Sequence, residues 1–426
     1  MNDRRQTRRR PVDRKARPRC LGPRAHLSAA IASVMALAAA SADADDLGEA
    51  LVSGTFNLDV RYRYEFVDQV GIARDANAHT LRTRFGYETD AIYDFRALIE
   101  AENVTGIGAE KYNDTINGKT SYPVVADPDN TEFNRYWLQY EGVPETKVKV
   151  GRQLIFYDNH RFVSNAGFRQ NDQTFDAASL TTGIVPDVTA SYAYVWLVNR
   201  IFGEDSPVGD FNTSSHLINL SYTGLDFGKL TGYAYLLDFD EAATLSSKTF
   251  GARFVGKRAL GEDVSALYAL EAAWQGDHAN NPADSSFAYY LIEPGVAWRT
   301  ASARLGYEVL TGNGARAFQT PLATAHAFQG WADKFATTPG GGIEDLYLRL
   351  DYAVAGLGLL DGVTLTGVYH RFDAEQGGAH YGDELDAEIS YMFRDHYTLG
   401  AKYAHYVADE FATGTSKVWV TLQIQY

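Results

Sequence analysis

The sequence predicts an all-β protein: a single transmembrane antiparallel β-barrel of about 18 strands, with short periplasmic turns and long extracellular loops. Three observations support this fold class. The chain opens on a secretory leader, apolar and polar residues alternate in many segments, and the length of each connection follows the parity of the strand before it. A soluble sandwich also contains alternating strands, so the pattern of the connections decides between the two.

Residues 1–44 have the parts of a signal peptide. Basic residues crowd positions 4–24, an apolar run covers positions 29–40, and small residues then lead to a cleavage site. We expect cleavage after Ala44, with Ala42 as the alternative. The apolar run is too short to span a bilayer stably, so a removed leader is favoured over an anchor.

Side chains alternate through residues 45–426 as they do in a strand with one apolar face. From Phe56 to Phe66 every even position is large and apolar, while the odd positions carry Asn, Asp, Arg, Arg and Glu. From Val418 to Tyr426 the even positions are again apolar. The same alternation recurs near 81–88, 95–102, 135–141, 188–196, 250–254, 268–275, 303–309, 346–352 and 384–393. It is weaker at 145–154, 214–224, 286–297 and 362–373, where either face could be outward.

The connections fall into two classes. Short ones follow even-numbered strands, at 142–145, 183–187, 224–228, 260–263 and 394–396. Long ones follow odd-numbered strands, at about 104–132, 154–172, 199–214 and 311–344. Outer-membrane barrels sort their connections in this way, and closure is compulsory because an open sheet edge in hydrocarbon leaves backbone groups unpaired. Residues 45–426 are therefore predicted to form one outer-membrane barrel.

The composition limits the partners. The chain has 54 Asp+Glu and 39 Lys+Arg, a formal net charge of −15, and loss of the basic leader makes the remainder more acidic. Such a charge excludes nucleic acid as a partner. The only cysteine, Cys20, lies in the leader, so disulfides are excluded. The 27 Tyr and 22 Phe against 12 Pro suit many strands with aromatic girdles in outer-membrane lipid.

Two long connections are predicted to fold inward, near 154–172 and 311–344. The first is rich in arginine, phenylalanine and amides, which suits a folded loop better than a flexible one. In the second, Thr320 is predicted to cap a helix that has Pro321 at its first position. Leu322, Ala325, Phe328, Ala332 and Phe335 then recur at helical spacing. We expect this amphipathic helix to pack inside the barrel mouth and narrow it.

These stretches resemble the alginate export proteins of the bacterial outer membrane. The residues that carry the resemblance are Gly151-Arg152-Gln153, Asp158-Asn159, Arg161-Phe162, Phe168-Arg169-Gln170, Phe175-Asp176 and much of Thr320 to Phe335. The resemblance implies an eighteen-stranded barrel whose arginine-lined lumen passes an anionic polysaccharide from periplasm to exterior. It also implies periplasmic export components as further partners. The motifs do not fix the substrate.

Arginines predicted to face the lumen are the candidate binding surface for an anionic saccharide or polymer. They are Arg61, Arg63, Arg82, Arg84, Arg96, Arg135, Arg152, Arg161, Arg169, Arg253, Arg304 and Arg349. Acidic residues share the same predicted face, so the alternative is that arginine and acid rows pair with each other and stiffen the wall. The first three predicted strands concentrate arginine whereas the sixteenth is acidic, which would polarise the lumen across its width.

Catalysis is not expected. His79, His160, His326, His370 and His405 are scattered without a recognisable triad, and neither a cofactor motif nor a transition-metal motif is present. The stretch Asp127 to Glu132 could hold calcium, but its spacing fails the EF-hand pattern and a solvated loop is favoured. The open alternatives to an anion channel are a non-selective porin and, less favoured, a barrel-based outer-membrane enzyme such as a lipase.

Overall fold

A computed structural model describes residues 44–426, with side chains from Gly48 onward. The predicted signal peptide and Cys20 fall on residues 1–43, outside the described residues, apart from Ala44. Helix α1 spans Ala44–Val52. The compact unit that holds the barrel runs from Gly48 to Tyr426. No helix in the described range is long and apolar enough to span a membrane.

Eighteen antiparallel strands form one closed sheet, as the alternation predicted. Each strand pairs with its neighbours in sequence, and β1 pairs with β18 from Asp59 opposite Gln425 to Gln69 opposite Thr415. The strands are β1 Thr55–Gln69, β2 Ala76–Glu88, β3 Phe95–Gly106, β4 Asn130–Val143, β5 Thr146–Gln153, β6 Thr174–Thr182, β7 Val188–Asn199, β8 Asp210–Leu225, β9 Gly228–Leu237, β10 Ser247–Ala259, β11 Val264–Asp277, β12 Ser286–Trp298, β13 Ala301–Leu310, β14 Ile343–Ala353, β15 Val363–Asp373, β16 His380–Phe393, β17 Tyr397–Ala408 and β18 Thr415–Gln425. Closure leaves no strand edge unpaired.

The connections differ between the two ends of the barrel. At one end, the turn end, the connections after even-numbered strands are short, and the longest covers 354–362. At the other, the loop end, the connections after odd-numbered strands include 107–129, 154–173, 200–209 and 311–342. The predicted sorting by parity is confirmed.

The two faces of the sheet differ as the alternation predicted. In β1, Phe56 is 64% exposed, whereas Arg61, Arg63 and Glu65 are 6%, 3% and 1% exposed. Apolar side chains on the outer face remain open because no described residue of the chain covers them, and in a membrane lipid does so. The charged side chains point into the barrel, where loops and opposite walls bury them.

The predicted helix after Thr320 is wrong. Only a short 3-10 turn, Ala325–Ala327, forms in that connection. Two backbone N–H groups that a helix would use, those of Trp331 and Ala332, instead donate to carboxylates of β16. The other 3-10 turns of the described chain are Ala243–Leu245 and Gly358–Leu360.

Candidate functional site

Two connections of the loop end fold into the lumen and meet there. We call residues 154–173 loop A, residues 311–342 loop B, and the two together the constriction. A β-bridge pairs Val163 of loop A with Leu322 of loop B. The Ser164 N–H donates to the Leu322 carbonyl at 2.9 Å, and the Gln173 side chain donates to that carbonyl at 3.1 Å. The expected inward folding of both connections is therefore seen, with loop B narrowing the lumen without a helix.

Loop A is anchored to the inner face of β1 and β2. Arg61 Nε donates to Gln170 Oε1 at 2.9 Å, and a second nitrogen of the same guanidinium donates to the Gly167 carbonyl at 2.9 Å. The Gln170 amide in turn donates to Thr80 Oγ1 at 2.8 Å. Arg84 reaches Asp172 at 3.0 Å. The motif Phe168-Arg169-Gln170 is thus the part of the loop that faces the wall.

Loop B rests on the acidic wall formed by β13 and β16. The Trp331 N–H donates to Asp386 Oδ2 at 3.2 Å and the Ala332 N–H to Glu384 Oε1 at 2.6 Å. Gly330 precedes them with φ +82°, and a Cβ built there would lie 2.4 Å from Glu384 Oε2. Only glycine tolerates that backbone and that approach. Gln329 adds a bond to Glu308 at 3.2 Å.

Asp333 joins loop B to loop A and to the wall. Its carboxylate accepts from Lys417 Nζ at 2.6 Å, from His326 Nδ1 at 2.9 Å and from Arg169 Nη2 at 3.2 Å. Burial alone would raise the pKa of Asp333, but Lys417, His326 and Arg169 outweigh it and hold that pKa well below its usual range. The carboxylate is therefore ionised.

His326 is neutral at physiological pH. Burial lowers its pKa to about 3, although Asp333 opposes the shift. Its Nε2 lies 3.2 Å from Lys402 Nζ, so the imidazole donates from Nδ1 to Asp333 and accepts at Nε2 from the lysine. This assignment of the proton follows from the partners on each side.

Aromatic rings and cations surround that imidazole. Phe168 stacks on His326 with ring centroids 3.4 Å apart, and Trp419 meets it edge-on. Arg63 lies 4.3 Å from the centroid of Phe168, and Lys402 lies 3.8 Å from that of Trp331. Such contacts hold a cation without neutralising it.

Most of the arginines predicted to face the lumen lie on the inner face of the barrel or in loop A. Nearly all of them form ion pairs with acidic residues, which agrees with the alternative interpretation that arginine and acid rows pair with each other. The acid partners are Asp59 for Arg82, Glu102 and Asp172 for Arg84, Asp90 and Glu141 for Arg96, Glu100 for Arg135, Glu308 for Arg161, Glu65, Asp127 and Asp333 for Arg169, Glu271 for Arg253, Glu293 and Asp351 for Arg304, and Asp351 for Arg349. Arg61 and Arg63 differ: neither has a carboxylate within ion-pair distance in the described residues.

The predicted lumen position of Arg152 is wrong. It lies opposite Tyr136, whose neighbour across the sheet is the exposed Ile99, so it belongs to the outer face. There its Nε donates to Asp176 at 2.8 Å. Directly opposed residues of antiparallel strands share a face, which places this pair at the outer rim of the loop end.

Three lysines of the site were not singled out from the sequence. Lys402 and Lys417 face inward on β17 and β18, and Lys334 lies in loop B. The alternation in 397–408 and 415–425 could have placed the first two on the inner face. No sequence pattern around Lys334 predicts its place in the site, because that place depends on the fold of loop B.

Open volume remains on both sides of the constriction. A cavity of about 140 Å³ on the turn-end side is lined by Arg253, Arg349 and Tyr347. A cavity of about 350 Å³ on the loop-end side is lined by Phe168, Arg169, Lys334 and Lys417. The constriction thus separates two chambers of the lumen.

The stretch considered for calcium is occupied by the protein's own donors. Asp127 Oδ1 accepts from the Gln170 N–H at 2.8 Å, and Asp129 Oδ1 accepts from the Gly106 N–H at 2.6 Å. No group of three or more His, Cys, Asp or Glu residues within 44–426 is arranged to hold a metal ion. These carboxylates therefore fix loop A and the end of β3.

Solved structures share this fold. OpdL of Pseudomonas aeruginosa is 17% identical, with a TM-score of 0.67 over 88% of this chain and 99% of that chain. OccAB2 of Acinetobacter baumannii is 15% identical with a TM-score of 0.70, and Pseudomonas aeruginosa OpdK with vanillate is 12% identical with a TM-score of 0.69, both over 88% of this chain and 99% of that chain. No curated protein gives a significant match. At these identities the likeness shows the fold.

The family follows from a separate comparison. The family model described as alginate export matches residues 53–376, which is most of the barrel and both loops of the constriction. The predicted resemblance is confirmed. The chain belongs to the alginate export family and is a β-barrel channel of the bacterial outer membrane.

Proposed function

We propose that the channel favours anionic solutes and passes an acidic saccharide or its polymer, with cations of the barrel wall beside the constriction as the selecting groups. The observation that carries this proposal is a set of wall cations without acid partners, with Arg63 and Lys402 beside Phe168 and Trp331 and Arg61 beside Gln170. Arg61, Arg63 and Lys402 have no carboxylate within ion-pair distance in the described part of the chain. The positive charge of these side chains is therefore available to attract anionic solutes in the lumen.

The acidic wall does not cancel this charge. Glu384 and Asp386 accept from backbone N–H groups of loop B, so each carboxylate faces the loop that covers it. The basic wall of β1 and β18 is separated from β16 by a single strand, β17, which carries Lys402. A narrow passage with low-dielectric walls strengthens the field of unpaired charges and raises the local concentration of counter-ions.

The paired arginines have a different role in this proposal. Guanidinium–carboxylate pairs such as Arg161 with Glu308, 2.7 Å apart, hold the loops and the wall in place. Arg304 and Arg349 share Asp351, and Arg304 also lies 3.8 Å from Glu293, so these two arginines are matched by two carboxylates toward the turn end. OpdK, which has the same fold, has been crystallised with vanillate, and a uronate would present the same carboxylate group.

Planar bilayers with a salt gradient test the proposal. We expect the wild-type channel to prefer chloride over potassium, and the variant Arg63→Gln/Lys402→Gln to lose most of that preference in its reversal potential. Lys147→Gln is the control, since this lysine is 65% exposed, lies near the turn end and pairs with Glu141. It removes a positive charge away from the constriction.

The outcomes separate the alternatives. An unchanged reversal potential in the double variant would overturn the role of these cations. Equal permeability to both ions in the wild type would favour a non-selective porin. No conductance together with ester hydrolysis would favour a barrel-based enzyme.

A further inference from the structure

A second cavity opens at the loop end, away from the cations just described. It has a volume of about 690 Å³, and we call it the mouth cleft. Connections 238–246 and 278–285 form one side and loop B the other. Ser247, Gln275 and Phe287 line it from the barrel wall.

Paired amides hold the walls of the mouth cleft. Gln275 donates to the Gln319 carbonyl at 2.8 Å and accepts from the Gln319 N–H at 2.9 Å. The Gln319 side chain donates to the Thr338 carbonyl at 2.9 Å and accepts from the Thr338 N–H at 3.2 Å. Asn281 fixes the opposite side by donating to the carbonyls of Thr244 and Ser246. The cleft is therefore preorganised, which reduces the entropy lost when a ligand binds.

Two cations in the mouth cleft lack an acidic partner. Arg316 makes one long side-chain bond, to Asn281 Oδ1 at 3.4 Å, and Lys334 makes no ion pair within the described residues. Burial lowers the pKa of Lys334 to about 8, Lys417 adds to the shift, and Glu384 and Asp333 oppose it. Asp333 also lines the cleft, but Lys417 and Arg169 already neutralise it.

An uncharged polar group and an aromatic ring complete the lining. Ser247 is 7% exposed, and its hydroxyl has no hydrogen-bond partner among the described residues. Phe411 lines the cleft and is half-buried, with one face stacked on Phe335 at 5.3 Å between centroids. Its remaining surface is apolar and suits the C–H face of a sugar ring.

We propose that the mouth cleft is a binding site for an acidic saccharide, distinct from the passage beside Arg63 and Lys402. Arg316 and Lys334 take the carboxylate, the Ser247 hydroxyl meets a sugar hydroxyl, and Phe411 packs against the ring. The cleft uses neither Arg63 nor Lys402. It would capture the saccharide at the loop end, before uptake or after passage, and so goes beyond the proposed selectivity of the constriction.

Calorimetric titration of the purified barrel in detergent tests this site, with trigalacturonate as the probe and maltotriose as its neutral counterpart. We expect the wild type to bind trigalacturonate and not maltotriose. Arg316→Gln and Lys334→Gln should each weaken binding about tenfold, the loss of one charge-assisted hydrogen bond, and together abolish it. Arg371→Gln is the matched control, because this arginine is near the loop end, 55% exposed and paired with Asp373.

Two results would overturn the mouth cleft as a site: no trigalacturonate binding by the wild type, or equal binding by the wild type and the double variant. Circular dichroism and single-channel conductance show whether each variant is folded. In the Arg63→Gln/Lys402→Gln background, Arg316→Gln and Lys334→Gln should weaken trigalacturonate binding by the same factor as in the wild type. Failure of this site and failure of the proposed selectivity are therefore distinguishable, because one is measured by heat of binding and the other by reversal potential.

Discussion

The substitution Asp333→Asn tests how loop B is held in the lumen. The asparagine keeps an acceptor for His326 but removes the negative charge that Lys417 and Arg169 share. Arg169 retains Glu65 at 3.1 Å, whereas the side chain of Lys417, 7% exposed, has no other carboxylate within ion-pair distance in the described residues. The substitution therefore leaves one buried cation unpaired.

The expected cost follows from that geometry. Removing one partner of a fully buried ion pair costs about 3–5 kcal/mol. Because the Asp333 side chain is 18% exposed, we discount this to about 2–3 kcal/mol. If the cost falls on the docked state of loop B, local opening becomes roughly 30- to 150-fold more frequent.

Hydrogen exchange measures that opening directly. The Trp331 and Ala332 amides donate to Asp386 and Glu384 only while loop B is docked, so their exchange should accelerate by the same factor. Asp263→Asn is the control, since its pair with Arg299 is exposed and worth at most about 1 kcal/mol. Exchange of these amides within twofold of the wild-type rate would refute the role of Asp333.

Two further predictions concern the mouth cleft and the barrel wall. Raising the pH from 7 to 9 should weaken trigalacturonate binding in titration calorimetry. The pKa of Lys334 is lowered to about 8, so its ammonium loses its proton in that interval while Arg316 stays charged. Lys334→Gln should therefore abolish the pH dependence. Gly151→Ala should destabilise the barrel by about 2 kcal/mol or more, because φ is +126° and the new Cβ would lie 2.3 Å from the Tyr136 carbonyl. Gly232→Ala, with no atom within 4 Å of its Cβ, should change the thermal unfolding midpoint little.

Local patterns in the sequence were sufficient to predict the barrel fold. Alternation with a period of two depends only on which side chains a strand sends to each face, so the exposed Phe56 and the buried Arg61 could be assigned without knowing any neighbour. The length of each loop can likewise be read from the sequence alone. Because the long loops follow odd-numbered strands, they were predicted to lie at the same end of the barrel. The inward folding of 154–172 was predicted from its arginines, phenylalanines and amides, and that of 311–344 from its apolar spacing, although the helix expected there does not form.

Predictions failed where a distant partner decides the outcome. The apolar spacing from Leu322 to Phe335 is helical, but carboxylates of β16 take the N–H groups of Trp331 and Ala332. Arg152 was assigned to the lumen from its motif, in a strand whose weak alternation left the outward face open. Tertiary contacts override local propensity at these positions.

The sequence by itself determined the closed sheet, its two faces and its two unequal ends, because each depends on periodicity or spacing within one segment. Only the tertiary structure decided which cations are neutralised. Arg161 meets Glu308 across 147 residues, and Arg169 meets Asp333 across 164, while Arg63 and Lys402 are left with aromatic rings. Ion pairing depends on distances that only the folded chain sets, and alternation along a strand carries no information about them.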